Sequence, residues 1–189
     1  GLGGLASATV NFAVANVAPD VQATLARDVL VGEAARGGGS IADPGLDSWS
    51  GTVSYGDGQV EPLVIAGTAF QLAHRYAAAG VYSWHVAVTD DDGGTGYVFS
   101  SVTVLSHASW IERMIAKIRA AQLDKGLTNS LVKKLENASK SLANGNTAPA
   151  LGQLGAFRNE LDAATKTGRF PALPSSELLG MLQRLLALL

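Results

Sequence analysis

The chain has 189 residues, enough for one large domain or two small ones, and either buries enough apolar surface to fold without covalent staples. It has no cysteine, which excludes thiol catalysis and Cys-ligated zinc. Its 14 basic and 16 acidic residues leave a net charge of −2, too weak and too mixed for a phosphate-backbone footprint, so nucleic acid is not an expected partner.

The chain opens Gly1-Leu2-Gly3-Gly4 without Met, which reads as a processed product or a part of something longer. Residues 8–15 then alternate like a strand, placing Val10, Phe12 and Val14 on one face. Such a face needs cover. Folding back past Pro19 is disfavoured because its fixed φ biases the chain to continue extended. The segment is therefore expected to lie against another copy of the chain or against an upstream domain, with Val10, Phe12 and Val14 as interface residues. The competing reading folds it onto its own sandwich.

Short β-rich runs follow, separated by Gly, Asp and Pro turns about 10 residues apart, the spacing of a sandwich. Gly37-Gly38-Gly39 reads as a flexible or bulged strand. Strands are predicted over 49–55 and 60–65, then through Phe70, Leu72, His74 and Tyr76 on one face, and through Tyr82, Trp84, Val86 and Val88 on one face. After the turn Asp91-Asp92-Gly93-Gly94, a last strand runs through Val98, Ser100, Val102 and Val104. Near Ser106 the composition changes, and Leu and Ala recur at helical spacing. Four helices are predicted over 108–122, 128–143, 146–167 and 175–188, with Thr128 and Asn146 as N-caps, Gly145 in a left-handed turn and Pro149 in the first turn of the third. Residues 178–189 are apolar for twelve positions interrupted by Gln183 and Arg184, short of the about twenty a bilayer span requires. They carry more apolar residues than one helical stripe buries. Leu182, Leu185, Leu186 and Leu189 are therefore expected to make a second contact, with the sandwich or with a neighbouring chain.

Residues 16–105 resemble a PKD domain, an immunoglobulin-like module of surface proteins. The resemblance rests on Asn16-Val17-Ala18-Pro19, Asp43-Pro44-Gly45, Tyr55-Gly56-Asp57-Gly58, His74-Arg75-Tyr76, Gly80-Val81-Tyr82 and Asp90-Asp91-Asp92-Gly93-Gly94. The usual Trp-Asp-Phe-Gly-Asp-Gly signature is Val53-Ser54-Tyr55-Gly56-Asp57-Gly58 here, without its Trp and first Asp. The stretches from Gly126 to Leu131, Gly145-Asn146-Thr147 and Gln153 to Asn159 are similar to a helical module that follows PKD-like domains in secreted bacterial proteins. The resemblance implies a β-sandwich over 16–105, a separate helical bundle over 106–189, and 1–15 as a strand of a preceding unit or a donated strand.

The acidic turns are the main chemical feature. Calcium takes six to eight oxygens from carboxylates and carbonyls on turns, and Asp43, Asp47, Asp90 and Asp92 offer them on Gly-flanked loops that the resemblance brings to one end of the domain, where some PKD-like domains bind calcium. The competing reading is that these Asp residues cap their own turns. The three His residues point to no catalysis: His74 lies on an apolar strand face, His85 on the opposite parity from Trp84, and His107 at the joint, and none belongs to a nucleophile-elbow, zinc-protease or phosphate-loop motif. The expected function is a non-catalytic, secreted or cell-surface structural, assembly or adhesion module, stabilised by calcium and self-associating by strand addition, whose partners are other copies of itself or neighbouring domains. The alternative is an accessory region of a secreted hydrolase that binds carbohydrate or protein fibres. Trp49, Trp84 and Trp110 are the candidates for its aromatic platform, although Trp84 reads as core and Trp110 as the start of a helix.

Overall fold

Residues with a two-residue burial rhythm give way at Ser106 to residues with a helical one, and the architecture follows that change. The computed structural model describes residues 9, 15–45 and 47–189, so Val10, Phe12 and Val14 lie outside the described residues. The strands are β1 (Asp20–Leu25), β2 (Asp28–Leu30), β3 (Ala34–Ala42), β4 (Trp49–Ser54), β5 (Val60–Pro62), β6 (Ile65–Ala66), β7 (Ala69–Arg75), β8 (Gly80–Asp90) and β9 (Thr95–Leu105). They form two sheets, ordered β1-β3-β7-β6 and β2-β9-β8-β4-β5. All pairs are antiparallel except β2 with β9. Trp84, Val86 and Val88 of β8 face inward with Phe70, Leu72, Val102 and Val104, and the sandwich core lies between the sheets.

Two strand expectations change on folding. The predicted strand over 60–65 is two strands: β5 pairs with β4, and β6 pairs with β7 in the other sheet. Pro62 ends β5 because it has no N–H for a continuing ladder, and the chain switches sheets there. Gly37-Gly38-Gly39 is not bulged; it runs in continuous register through the middle of β3. The reason at Gly39 is space, because a Cβ there would lie 2.3 Å from the Phe70 ring.

The helices are α1 (His107–Ala120), α2 (Lys125–Ala143), α3 (Thr147–Lys166) and α4 (Ala172–Leu186). Ser106 caps α1 by accepting the Ser109 N–H at 3.1 Å. The cap of α2 is Asp124 rather than Thr128: its Oδ1 accepts the Leu127 N–H at 2.8 Å, starting the helix nearly a turn earlier. Gly145 adopts φ +73° after α2. Asn146 occupies the cap position of α3 without a side-chain cap hydrogen bond. Helix α4 starts at Ala172, not Ser175: Pro171 is its N-cap residue, and Pro174 lies in its first turn, where a missing N–H removes no helix bond. Ser175 is instead buried and bonds the Thr165 hydroxyl at 2.7 Å, linking α4 to α3.

The two cores meet at β2. Successive side chains of a strand point to opposite faces. Val29 packs in the sandwich core and Leu30, its neighbour, in the helical core, 1% and 0% exposed. Leu105, paired with Leu30, also packs on the helical core. Arg184 of α4 closes the joint. Its Nε donates to Glu33 Oε1 at 2.8 Å, and its Nη2 donates to Glu33 Oε2 at 2.7 Å and to the Asp28 carbonyl at 2.9 Å. Its guanidinium also lies 4.4 Å from the centre of the Trp110 ring. Burying a Leu contributes about 1.5–3 kcal/mol, whereas a partly exposed ion pair contributes about 1 kcal/mol or less. The apolar contact therefore holds the joint and the ion pair orients it. Leu30→Ala is expected to cost about 2–5 kcal/mol in urea unfolding; an unchanged midpoint would place Leu30 outside the load on the joint.

Candidate functional site

The loops at one end of the sandwich gather the acidic residues. Asp43, Asp47 and Asp92 line a cleft of about 410 Å³ together with Asn16, Pro44 and Gly45. Asp43 forms an Asx turn, its Oδ1 accepting the Gly45 N–H at 3.1 Å, while its Oδ2 accepts the Trp49 indole N–H at 3.3 Å. Asp47 folds over Gly45, where a Cβ would meet its Oδ2 at 2.1 Å. Partial burial and the adjoining Asp43 carboxyl, followed by the charges of Asp91 and Asp90, push the Asp47 carboxyl up.

Asp90 plays a different part from the one expected of it. It does not line the cleft; it is buried, and both of its oxygens are engaged. Oδ2 accepts from Asn16 Nδ2 at 2.9 Å, and Oδ1 accepts from the Gly94 N–H at 2.7 Å. The bond from Asn16 leads in lowering its pKa, burial opposes it, and the turn's backbone N–H groups add to it, so the carboxyl sits below the usual carboxylate range. Asp90 thus fastens the incoming chain at Asn16 to the β8–β9 turn. For a hard cation the donor type fits, since Asp43 and Asp47 are paired carboxylates on turns with carbonyls nearby. Among the described residues no three His, Cys, Asp or Glu side chains converge on a metal position, so carbonyls and water would have to complete the shell.

His74 lies on the face expected of it and is held on several sides. Its ring stacks on Tyr55 at 4.1 Å and 8°, meets the Tyr76 ring edge-on at 4.6 Å, and its Nε2 lies 2.7 Å from Asp57 Oδ2. Burial pushes Asp57 up, but the hydrogen bonds from His74 and from the Gln59 N–H outweigh it and hold the carboxyl low. The Tyr76 hydroxyl donates to the Tyr55 carbonyl at 3.1 Å. Burial, with the nearby Asp57, Tyr55 and Tyr82, pushes the Tyr76 hydroxyl well above the usual phenol range.

The apolar tail is largely used within the fold. Leu182 and Leu185 are in the helical core, so they belong to this chain's interior and not to a contact with a partner. Leu186 and Leu189 are partly buried against the same core. The three Trp residues make no platform: Trp84 is core, Trp110 is buried and donates to the Met181 carbonyl at 2.9 Å, and Trp49 is tied to Asp43. The aromatic side chains that do stand out are Tyr97 and Phe99 on β9. The alternation through Val98, Val102 and Val104 already places them outward, and that was the available signal.

No curated protein matches the chain in sequence. Residues 16–104 match the family model described as the PKD domain. Among solved structures, the PKD domain of an M14-like peptidase from Thermoplasmatales archaeon SCGC AB-540-F20 is 20% identical with a TM-score of 0.44, covering 48% of this chain and 98% of its own. The PKD1 domain of Vibrio anguillarum Epp is 24% identical with a TM-score of 0.40, covering 49% and 99%. The PKD1 domain of the Vibrio cholerae metalloprotease PrtV is 25% identical with a TM-score of 0.37, covering 47% and 98%. On the family match and the two-sheet topology, the first part of the chain is a PKD-like β-sandwich, followed by a C-terminal region of four helices.

Proposed function

We propose that the chain is a non-catalytic structural module of an extracellular or cell-surface protein, in which the sandwich and the helices act as one stiff unit. The observation that carries this is the joint: β2 contributes to both cores, and Arg184 grips Glu33 and the Asp28 carbonyl across it. A PKD-like domain joined by a free linker would swivel; this one is packed. No helix among the described residues is long and apolar enough to cross a membrane, which agrees with a module held outside it without requiring that place. Small-angle scattering of the full chain is expected to give one rigid shape, and Arg184→Ala a broader distribution of distances. A wild-type profile that only a range of joint angles can fit would remove the stiff-unit reading.

Self-association is the second part of the proposal. β5 ends its sheet with one side unpaired among the described residues and is exposed along its length, so it offers an edge to an added strand. Residues 8–15 are the proposed donor. Deleting residues 1–15 is expected to lower the particle mass in light scattering; an unchanged mass removes the strand from that role.

Calcium is the third part, held by Asp43 and Asp47. The Asp47 carboxyl is raised by burial first and then by Asp43; a cation between them offsets both, and binding to the folded state alone stabilises it. Excess calcium is expected to raise the melting temperature over that in chelator, and Asp47→Asn to abolish most of the rise. Identical melting of the wild type in both conditions would eliminate the site.

A further inference from the structure

Charge is divided unevenly along the chain. Residues 16–105 hold ten of the 16 acidic side chains and three of the 14 basic ones, while residues 106–189 hold the other six and 11. With His neutral, the sandwich carries −7 and the helices +5. Strand register shows where the negative charge lies. Asp20 pairs with Ala42 at the end of β3, Trp49 at the start of β4 pairs with Asp90 at the end of β8, and Gly80 at the start of β8 pairs with Val104. Asp20, Asp43, Asp47, Asp91 and Asp92, with Asp90 behind them, therefore share the end remote from the joint, the length of an 11-residue strand or about 36 Å away from it. Arg27, Arg36 and Arg75, the three bases of the sandwich, lie in the half nearer the joint. At the far end of the helices, Arg169 Nη2 donates to Asp124 Oδ2 at 2.9 Å, bringing the start of α2 beside the end of α3. Lys125 and Lys166 flank that pair. Both are exposed, and neither has an ion-pair partner among the described residues.

We infer that copies of the chain associate head to tail, the acidic end of one sandwich docking on the Lys125 and Lys166 end of the next copy's helices. Charge complementarity selects the second copy, because the chain carries both surfaces in equal number. At the joint, opposite signs already meet within one copy, Asp28 with Arg113 and Glu33 with Arg184. The packed joint holds the two outer ends apart, so they meet only between copies. Two acidic ends repel, as do two basic ones, which disfavours a two-fold pair of like ends. The contact is therefore heterologous: each copy leaves one end free, and the contact propagates. A phosphate backbone fits less well, since strong binding there takes about 6–10 cationic contacts. This end offers Lys125, Lys166 and an Arg169 already paired with Asp124. The inference rests on the stiff-unit reading, since a free joint would let the ends meet within one copy, and it does not use residues 8–15.

The test is sedimentation of the full chain in chelator, at about 20 mM and about 0.5 M NaCl, between which the screening length falls from about 20 Å to about 4 Å. The wild type is expected to exceed the monomer mass at low salt and to lose that excess at high salt. Lys125→Glu/Lys166→Glu and, separately, Asp20→Lys/Asp92→Lys are each expected to weaken the salt-sensitive association about tenfold or more. All four side chains are exposed, so melting temperatures should hardly change. Mixed in equal amounts, the two variants are expected to form pairs and nothing larger, because each keeps one working end. A mass independent of salt and of both substitutions overturns the proposal, and any excess that resists salt belongs to strand addition. A constant monomer mass that sediments more slowly as salt rises overturns it together with the stiff-unit reading, because the ends would then meet within one copy. It also falls if the lysine variant keeps the wild-type mass but loses adsorption to phosphatidylglycerol vesicles, since the occupant would then be an anionic lipid surface.

Discussion

The alternation of side chains along a strand is the constraint on which the molecule turns, and β2 shows it in three residues. Val29 enters the sandwich core, and Leu30, one residue on, enters the helical core. A slip of one residue in the pairing of β2 with β9 would exchange them and disrupt both. Arg184 then sets the angle between the two parts. Burial alone pushes the Glu33 carboxyl up, but the hydrogen bonds from Arg184 and from the Leu30 N–H, with the Arg184 charge, outweigh it and keep the carboxyl low. The carboxylate that receives α4 is therefore also the one that closes the turn after β2.

The acidic loops divide their work by solvent access. Asp90 is buried and fully engaged, so its role is to anchor Asn16 and the β8–β9 turn. Asp43 and Asp47 face a cleft and repel each other, which is the condition under which a proton or cation is favoured. A list of loop Asp residues does not separate these roles. Burial and the partners of each oxygen do.

The part of the signature stretch that is kept, from Tyr55 to Gly58, serves packing. Tyr55 stands in the signature stretch, and its ring is stacked on His74, while Asp57 two residues on reaches the same imidazole. The loop between β4 and β5 is thereby fastened to β7. The altered signature keeps a structural function that needs only a flat ring, a carboxylate and the left-handed backbone of Gly56 and Gly58, at φ +81° and +92°.

Period and punctuation in the sequence determined the architecture: inward Trp84, Val86 and Val88 at a spacing of two, helical stripes such as Leu154, Phe157 and Leu161, and Gly145 at the left-handed turn. These are local signals, because each follows from the geometry of one strand or helix. The joint and the separation of Asp90 from the acidic cleft were decided by tertiary structure. Each depends on residues far apart in the chain, such as Arg184 with Glu33 or Asn16 with Asp90, and no local spacing encodes such a meeting. The outward row of Tyr97 and Phe99 lies between the two cases: alternation along β9 gives their direction, but only the register with β8 sets His85 beside Phe99, and only the position of the helices, over Leu30 and Leu105, leaves the row uncovered.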